Sequence, residues 1–256
     1  MLKVAVFGAA GRMGSAVCTA VRNDPQLELV AAVDPVKAGE PLPAAGGLLA
    51  APGAEALSAT GVEVAVDFTV AGAALANARW CAANGVHCVV GTTGFGDAGL
   101  EELQRLFAGG PAHCVVAPNF AIGAVLMLHF AELAAPWFES VEVVELHHDT
   151  KVDAPSGTSL LTATRVAAAR RRAAPGATSA QPSRGLEAAP GVRVHSVRLR
   201  GLVAHQEVLF GTNGEVLTLR HDSLDRSSFM PGVLLAVKAV PSRPGLTLGL
   251  AALLGL

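Results

Sequence analysis

Along the first half of the chain, short apolar runs alternate with stretches in which apolar residues return every three or four positions. "LKVAVFGAAGRMGSAVCTAV" is the first instance: an apolar run ends at Phe7, after which Met13, Ala16, Val17, Ala20 and Val21 recur at helical spacing. The change of period across the Gly8 to Gly11 turn predicts a buried strand, a tight turn and a helix. "LELVAAVD" supplies a second strand that ends in Asp34, and the Gly/Pro/Ala stretch at 35–52 shows no period and is expected to be irregular. "GVEVAVDFT", "GVHCVVGTTG" and "AHCVVAPN" predict three more buried strands, with helices around 73–83 and 97–107 between them. Buried strands alternating with helices imply an α/β domain: a doubly wound parallel sheet with helices on both faces.

After Asn119 the rhythm changes. A helix is expected over 122–133, then an alternating strand, "SVEVVELHH", then a helix beginning near Ser156 and running to the arginines at 170–172. The arginine run reads as a solvated helix end, and "AAPGATSAQPSRGLEAAPG" as an exposed loop. "VRVHSVRLRG" and "HQEVLFGTNGEVLTLRH" predict further strands, the latter folded as a hairpin at Asn213-Gly214. This half is expected to be a second, α+β domain built on a mixed sheet. A helix near 230–240 and a terminal strand or packed end from Leu246 return the chain to the first domain, so the expected division is 1–118 completed by 228–256, with 119–227 between.

Composition narrows the ligand class. The 256 residues carry 19 Lys and Arg against 21 Asp and Glu, a net charge of −2. With a pI near 6.4, no basic face is expected and nucleic acid is excluded as a partner in favour of small molecules. The apolar tail at 246–256 is too short for a membrane span, and the Met1 end has no secretory pattern. Cys18, Cys81, Cys88 and Cys114 include no C-x-x-C pair and lie in apolar runs, which fits reduced, buried thiols and a cytoplasmic location.

Gly8, Gly11 and Gly14 form G-x-x-G-x-x-G between strand and helix. The absent side chains let backbone N–H groups and the positive helix end approach a pyrophosphate, although close helix packing alone could also demand them. Asp34 favours the first reading, because it ends the second strand twenty residues beyond Gly14, where a carboxylate accepts hydrogen bonds from a ribose. "GTTG" at 91–94 and "APNF" at 117–120 end later strands, where a doubly wound sheet places its ligand crevice, and are the expected walls of a nicotinamide site. Both NADH and NADPH are expected to serve, with a modest preference for NADH: Asp34 repels a 2′-phosphate, while Arg12 and Lys37 could neutralise one.

The densest chemistry lies in "HHDTKVDAPSGT", residues 147–158. Taken singly, His147 or His148 could be a core or a merely exposed histidine. No third His or Cys stands at ligand spacing, so no metal is expected. Ser156 can cap a helix, Gly157 exposes backbone and Thr158 adds a hydroxyl; such a helix start binds a carboxylate or phosphate. With Lys151 between it and the histidines, the segment combines a proton donor, a cation and an anion cradle, which suits reduction of an acidic small molecule.

Together, "GAAGRMG" at 8–14, "VDFT" at 66–69, "GTTG", "APNF" and "HHDTKVDAPSGT" resemble the 4-hydroxy-tetrahydrodipicolinate (dihydrodipicolinate) reductase family of lysine and diaminopimelate biosynthesis, in the right order over essentially the whole chain. The resemblance implies a Rossmann-type first domain whose cofactor meets Gly8, Ala9, Ala10, Gly11, Arg12, Met13, Gly14, Asp34, Phe68, Thr69, Gly91, Thr92, Thr93, Ala117, Pro118, Asn119 and Phe120. It implies a second domain for substrate binding and oligomerisation, a homotetramer, and hinge closure. His147 would be the proton donor, His148 and Lys151 would bind or polarise a dicarboxylate substrate, and Ser156, Gly157 and Thr158 would hold a carboxylate. In one departure, Val70 and Ala71 stand where many relatives carry a proline, which bears on the contour of the cofactor-facing loop. Two rivals are another two-domain oxidoreductase, such as a semialdehyde or homoserine dehydrogenase, and a nucleotide-sensing regulator. The first, in its phosphorylating form, needs a cysteine in a polar turn, and the second needs no proton donor beside an anion cradle.

Overall fold

The computed structural model describes residues 1–170 and 182–256. In chain order, strand β1 (Leu2–Phe7), helix α1 (Arg12–Asn23), β2 (Leu27–Val33), β3 (Ala50–Ala51), β4 (Val64–Asp67), α2 (Ala71–Ala83), β5 (His87–Val90), α3 (Gly96–Phe107) and β6 (Cys114–Val116) come first. They are followed by α4 (Ile122–Ala134), β7 (Ser140–His147), α5 (Gly157–Ala169), β8 (Leu186–Ala189), β9 (Val192–Arg198), β10 (Ala204–Thr212) and β11 (Glu215–Ser223). Helix α6 (Met230–Ala239), β12 (Leu246–Leu248) and the short α7 (Ala251–Leu254) complete the chain. Two compact units result: Met1–Ile122 with Phe229–Leu256, and Gly123–Ser228. The first boundary thus falls slightly later than the expected 118/119.

In the first unit seven strands lie in the order β12-β6-β5-β4-β1-β2-β3, all pairs parallel. Strand order that runs outward both ways from β1 is the doubly wound, Rossmann-type arrangement. Parallel strands in such a sheet are buried on both faces, and successive side chains serve different helices. Ala5, Phe7, Ala65, Cys88, Val90 and Cys114 pack with Ala74, Ala78, Leu103 and Phe107 of α2 and α3. The intervening Val4, Val6, Val64, Val66 and Val89 are equally buried, as are Val17 and Val21 of α1 and Val233 and Val237 of α6. The expected irregular segment at 35–52 is irregular except for two short 3-10 turns and the two residues of β3.

In the second unit the order is β11-β10-β7-β9-β8, with β7 parallel to β9 and the other pairs antiparallel. Val141 and Val143, with Val192, Val194, Val208 and Phe210 on neighbouring strands, pack against Ala163 and Val166 of α5 and Met127 and Ala131 of α4. The hairpin closes at Asn213-Gly214, where Gly214 takes φ +80°.

Two expectations need correction. Part of the expected loop is strand β8, which adds itself to the edge of β9 in spite of its Gly/Pro-rich flanks, and Pro182–Arg184 before it forms a short 3-10 turn; residues 173–181 of that loop lie outside the described residues. Nor is Arg170 a solvated helix end: it follows α5 and donates hydrogen bonds to the carbonyls of Gly191 and Glu139, tying the helix terminus to the strands beneath it. Arg171 and Arg172 lie outside the described residues.

Candidate active site

The glycine loop forms the carboxyl-end turn of β1. Gly8, at φ +71°, and Ala9 both donate to the Val33 carbonyl, at 2.9 and 3.1 Å, which draws the loop over the end of β2. A Cβ on Gly14 would stand 2.0 Å from the Gly8 oxygen, so this glycine is demanded by the approach of helix to turn. Gly11 is the N-cap of α1 and supplies no side-chain cap. The exposed Ala10–Arg12 stretch therefore presents a helix start whose N–H groups can meet an anion, and the loop fits a dinucleotide pyrophosphate. Met13 is half-buried beside it.

Asp34 is only 8% exposed, and its oxygens accept from Ala10 N at 3.0 Å and Val36 N at 3.2 Å. One N–H of the glycine loop is thereby committed to the carboxylate, which fixes Asp34 at the strand end; each oxygen keeps a lone pair for a ribose hydroxyl. Arg12 is exposed, whereas Lys37 pairs with Glu40 at 3.0 Å.

Asp67, which sequence reasoning passed over inside "VDFT", organises the next turns. Fully buried, it accepts from Thr69 N at 2.8 Å, Thr69 Oγ1 at 2.6 Å, Asn77 Nδ2 at 2.7 Å and Thr92 Oγ1 at 3.3 Å. One carboxylate thus shapes both the Phe68–Thr69 turn and the Gly91–Thr93 turn. A charged residue ending an otherwise apolar buried strand was the available signal. Gly91 leaves room for the Phe68 ring, whose atoms would lie 2.1 Å from an added Cβ, and Phe68 in turn packs on Phe120 with centroids 5.7 Å apart. Ala9, Ala117 and Phe120 are buried, so their side chains support the crevice rather than face it; Thr92 is buried but borders a cavity, and Thr93 and Pro118 are exposed. Asn119 accepts from Ala121 N at 2.9 Å and holds its own turn. A cavity of about 310 Å³ lies here, lined by Thr92, Thr93, Phe95, Leu100, Val116 and Pro118, a size suited to part of a small ligand. Val70 caps α2 from an exposed position, and the helix starts directly at Ala71.

In the second unit, the period-2 alternation of β7 points Val141, Val143, Glu145 and His147 to one face. His147 Nδ1 lies 2.5 Å from Glu145 Oε2, which turns Nε2 the other way. Burial lowers the His147 pKa below its ordinary value, and Lys151 and Arg198 lower it further, against the opposing pull of Glu145. His148, beyond the strand end, is exposed and its Nδ1 meets Thr150 Oγ1 at 2.7 Å. Lys151 is half-buried, with Nζ 2.7 and 2.8 Å from the oxygens of Asp153, so its ammonium is held by an exposed carboxylate that a substrate carboxylate can replace. That hydrogen bond from Lys151 keeps the Asp153 carboxyl below the usual range.

Helix α5 begins as its sequence suggests. Ser156 is the N-cap and accepts from Ser159 N at 3.2 Å, while Ser156 N donates to Glu145 Oε1 at 3.3 Å. Two of the four orphan N–H groups of the helix start are thereby satisfied, which leaves those of Gly157 and Thr158 as the pair open to an anion. Gly157 is exposed, and nothing lies within 4 Å of where a Cβ would be. Among the described residues no group of three His, Cys, Asp or Glu side chains could hold a metal ion. The four thiols are free and buried, closed off from any ligand, so none is placed as a nucleophile.

Comparison with known proteins places the chain in a family. Residues 2–120 match the family model "Dihydrodipicolinate reductase, N-terminus" and residues 123–254 the model "Dihydrodipicolinate reductase, C-terminus". A 4-hydroxy-tetrahydrodipicolinate reductase of Cutibacterium acnes is 54% identical with all of both chains covered, and one of Nocardia farcinica is 54% identical over 97% of each. A dipicolinate-bound dihydrodipicolinate reductase from Paenisporosarcina sp. TG-14 superposes with a TM-score of 0.83 at 38% identity, over 98% of this chain and 99% of that one. An amine dehydrogenase of Mycobacterium smegmatis, at 16% identity and a TM-score of 0.65, shares the fold. With both family models matched across nearly the full length, the chain belongs to the dihydrodipicolinate reductase family.

Proposed function

We propose that the chain reduces 4-hydroxy-tetrahydrodipicolinate to tetrahydrodipicolinate with a reduced nicotinamide dinucleotide, in diaminopimelate and lysine biosynthesis in the cytoplasm, as a homotetramer. In this reaction the 4-hydroxyl is replaced by hydrogen: a hydride and a proton enter and water leaves. The nicotinamide supplies the hydride when bound. Gly8, Gly11, the open start of α1 and Asp34 would hold its pyrophosphate and ribose, and the turns organised by Asp67 would border the ring. In the second unit, Gly157 N, Thr158 N and Lys151 Nζ would bind the substrate carboxylates, and protonated His147 would deliver the proton from Nε2.

The observation that carries this reading is the conjunction of His147, Lys151 and a helix start with two uncommitted N–H groups, in a chain of this family. A nucleotide-sensing regulator would have no use for it. Freshly generated substrate and NADH, incubated with the purified protein, should lose the 340-nm absorbance of NADH, a wavelength that is roughly the standard one for nicotinamide reduction state. His147→Gln should cut turnover by about two to four powers of ten and leave NADH affinity nearly unchanged, the usual scale for a general acid. Near-native turnover in that variant would reject His147 as the donor.

A further inference from the structure

Glu145 has no part in the reaction as outlined, yet it is wholly buried in the core of the second unit. Its carboxylate joins the histidine to the start of α5. Oε2 faces His147 Nδ1 at 2.5 Å and Arg198 Nη1 at 2.9 Å; Oε1 faces Arg198 Nη2 at 2.8 Å and Ser156 N at 3.3 Å. The sheet register builds this cluster. On β9, Ser196 lies opposite Glu145 and Arg198 opposite His147, so the guanidinium reaches diagonally back to the carboxylate; on β10 the partners are Gln206 and Ala204.

We propose that Glu145, clamped by Arg198, is a positioning residue that fixes His147 as the Nδ1–H tautomer with Nε2 directed to substrate, and sets the spacing between that nitrogen and the carboxylate-binding start of α5. The proposal rests on the reading of His147 as proton donor. An ionised carboxylate only accepts, so the nitrogen facing it carries hydrogen in both protonation states of the ring. Nε2 is then the atom that gains and loses the proton. The bidentate guanidinium keeps Glu145 in place and ionised. Burial alone would raise its carboxyl, but hydrogen bonds from Arg198, Ser196 and His147 outweigh that and hold it below the ordinary range. The charged groups around the imidazole are Glu145 on its own strand, Arg198 on β9, and Lys151 with its partner Asp153 in the following loop; Ala204 on β10 carries no charge. Arg198 also donates to the Asp153 carbonyl at 2.7 Å, so the same clamp steadies the loop that carries Lys151.

The signs of the expected shifts differ by residue, which separates positioning from a merely structural role. Catalysis needs protonated His147, so kcat/KM falls as pH rises through its pKa. Glu145→Gln removes the charge that favours the imidazolium: the alkaline limb should move to lower pH, and kcat should fall about a hundredfold or more, with the KM for NADH within about twofold of the original. Arg198→Gln removes a charge that opposes the imidazolium, and should move the same limb to higher pH. A Glu145→Gln profile identical to that of the unaltered enzyme, with only a lower Tm, overturns the proposal. Should both variants fail to fold, 15N-histidine NMR on the unaltered protein still decides: neutral His147 is expected as the Nδ1–H tautomer, and an Nε2–H tautomer overturns the proposal. Full turnover of His147→Gln would remove the donor reading and this one with it. An inactive His147→Gln beside an unshifted Glu145→Gln limb would remove this one alone.

Discussion

At the scale of single residues, the choice between NADH and NADPH comes down to three side chains. Asp34 is held rigidly by two backbone N–H groups, so its negative charge cannot swing away from the position a 2′-phosphate would take. Lys37 could neutralise that phosphate only by leaving Glu40. Both members of this pair are about half exposed, and exposed pairs contribute about 0–1 kcal/mol, so the exchange costs little. Arg12, at the first position of α1, needs no such exchange because it has no ion-pair partner among the described residues. Both cofactors should therefore work, with a modest preference for NADH. Asp34→Ala should weaken NADH and spare or improve NADPH, and Lys37→Ala should hurt only NADPH, as ratios of kcat/KM. A preference for NADPH above about tenfold in the unaltered enzyme, equivalent to about 1.4 kcal/mol, would contradict this account.

At the scale of elements, the glycine loop and α1 show how one motif serves two physical demands. Gly14 is needed because the helix passes over the Gly8 carbonyl, whereas an added Cβ on Gly11 would lie 3.1 Å from the same oxygen and needs a shift of only a few tenths of an ångström. Gly14→Ala should destabilise by about 1–3 kcal/mol, the range for overpacking, and lower Tm by several degrees; Gly11→Ala should melt close to the original. Equal melting of the two variants would show that the loop relaxes around either methyl group. The alternative of helix packing, open on sequence alone, thus holds for Gly14, while Gly8 and Gly11 shape the turn. Elements with a strong period were legible for the same reason that they are stable: each buries one face, or two, in a core. Strand β8 was not, because its place is decided by pairing with β9 and not by any period within "LEAA". Glu145 was passed over although the alternation of β7 already turns it inward with Val141 and Val143, since a carboxylate in that phase looks like an exception until Arg198 is seen opposite. The histidine segment was legible in type and order, but the commitment of Lys151 to Asp153 was not, because it depends on how the loop folds back.

At the scale of the whole molecule, the residues proposed for cofactor and for substrate fall in different units. The glycine loop, Asp34 and the Asp67-organised turns belong to the unit Met1–Ile122 with Phe229–Leu256; His147, Lys151 and the start of α5 belong to Gly123–Ser228. The division follows the change of rhythm after Asn119, whereas a return near Met230 was no more than suggested by the sequence; α6 and β12 lie in the first unit. Its consequence is a double dissociation. A ligand that binds only the folded state stabilises by RT ln(1 + [L]/Kd), about 2.7 kcal/mol at a hundredfold excess over Kd, which for a chain of this size is about 5–10 °C in Tm. NADH and pyridine-2,6-dicarboxylate should each raise Tm in the unaltered protein. Asp34→Ala should lose much of the shift with NADH and keep the shift with the dicarboxylate, because the ribose contact is gone and the second unit is untouched. Lys151→Met should do the reverse, since the ammonium that replaces Asp153 by a ligand carboxylate is gone while the glycine loop is intact. Differential scanning calorimetry of the three proteins with each ligand measures all six shifts. Loss of the dicarboxylate shift in Asp34→Ala, or of the NADH shift in Lys151→Met, would mean that the two ligands do not divide between the units as their residues do.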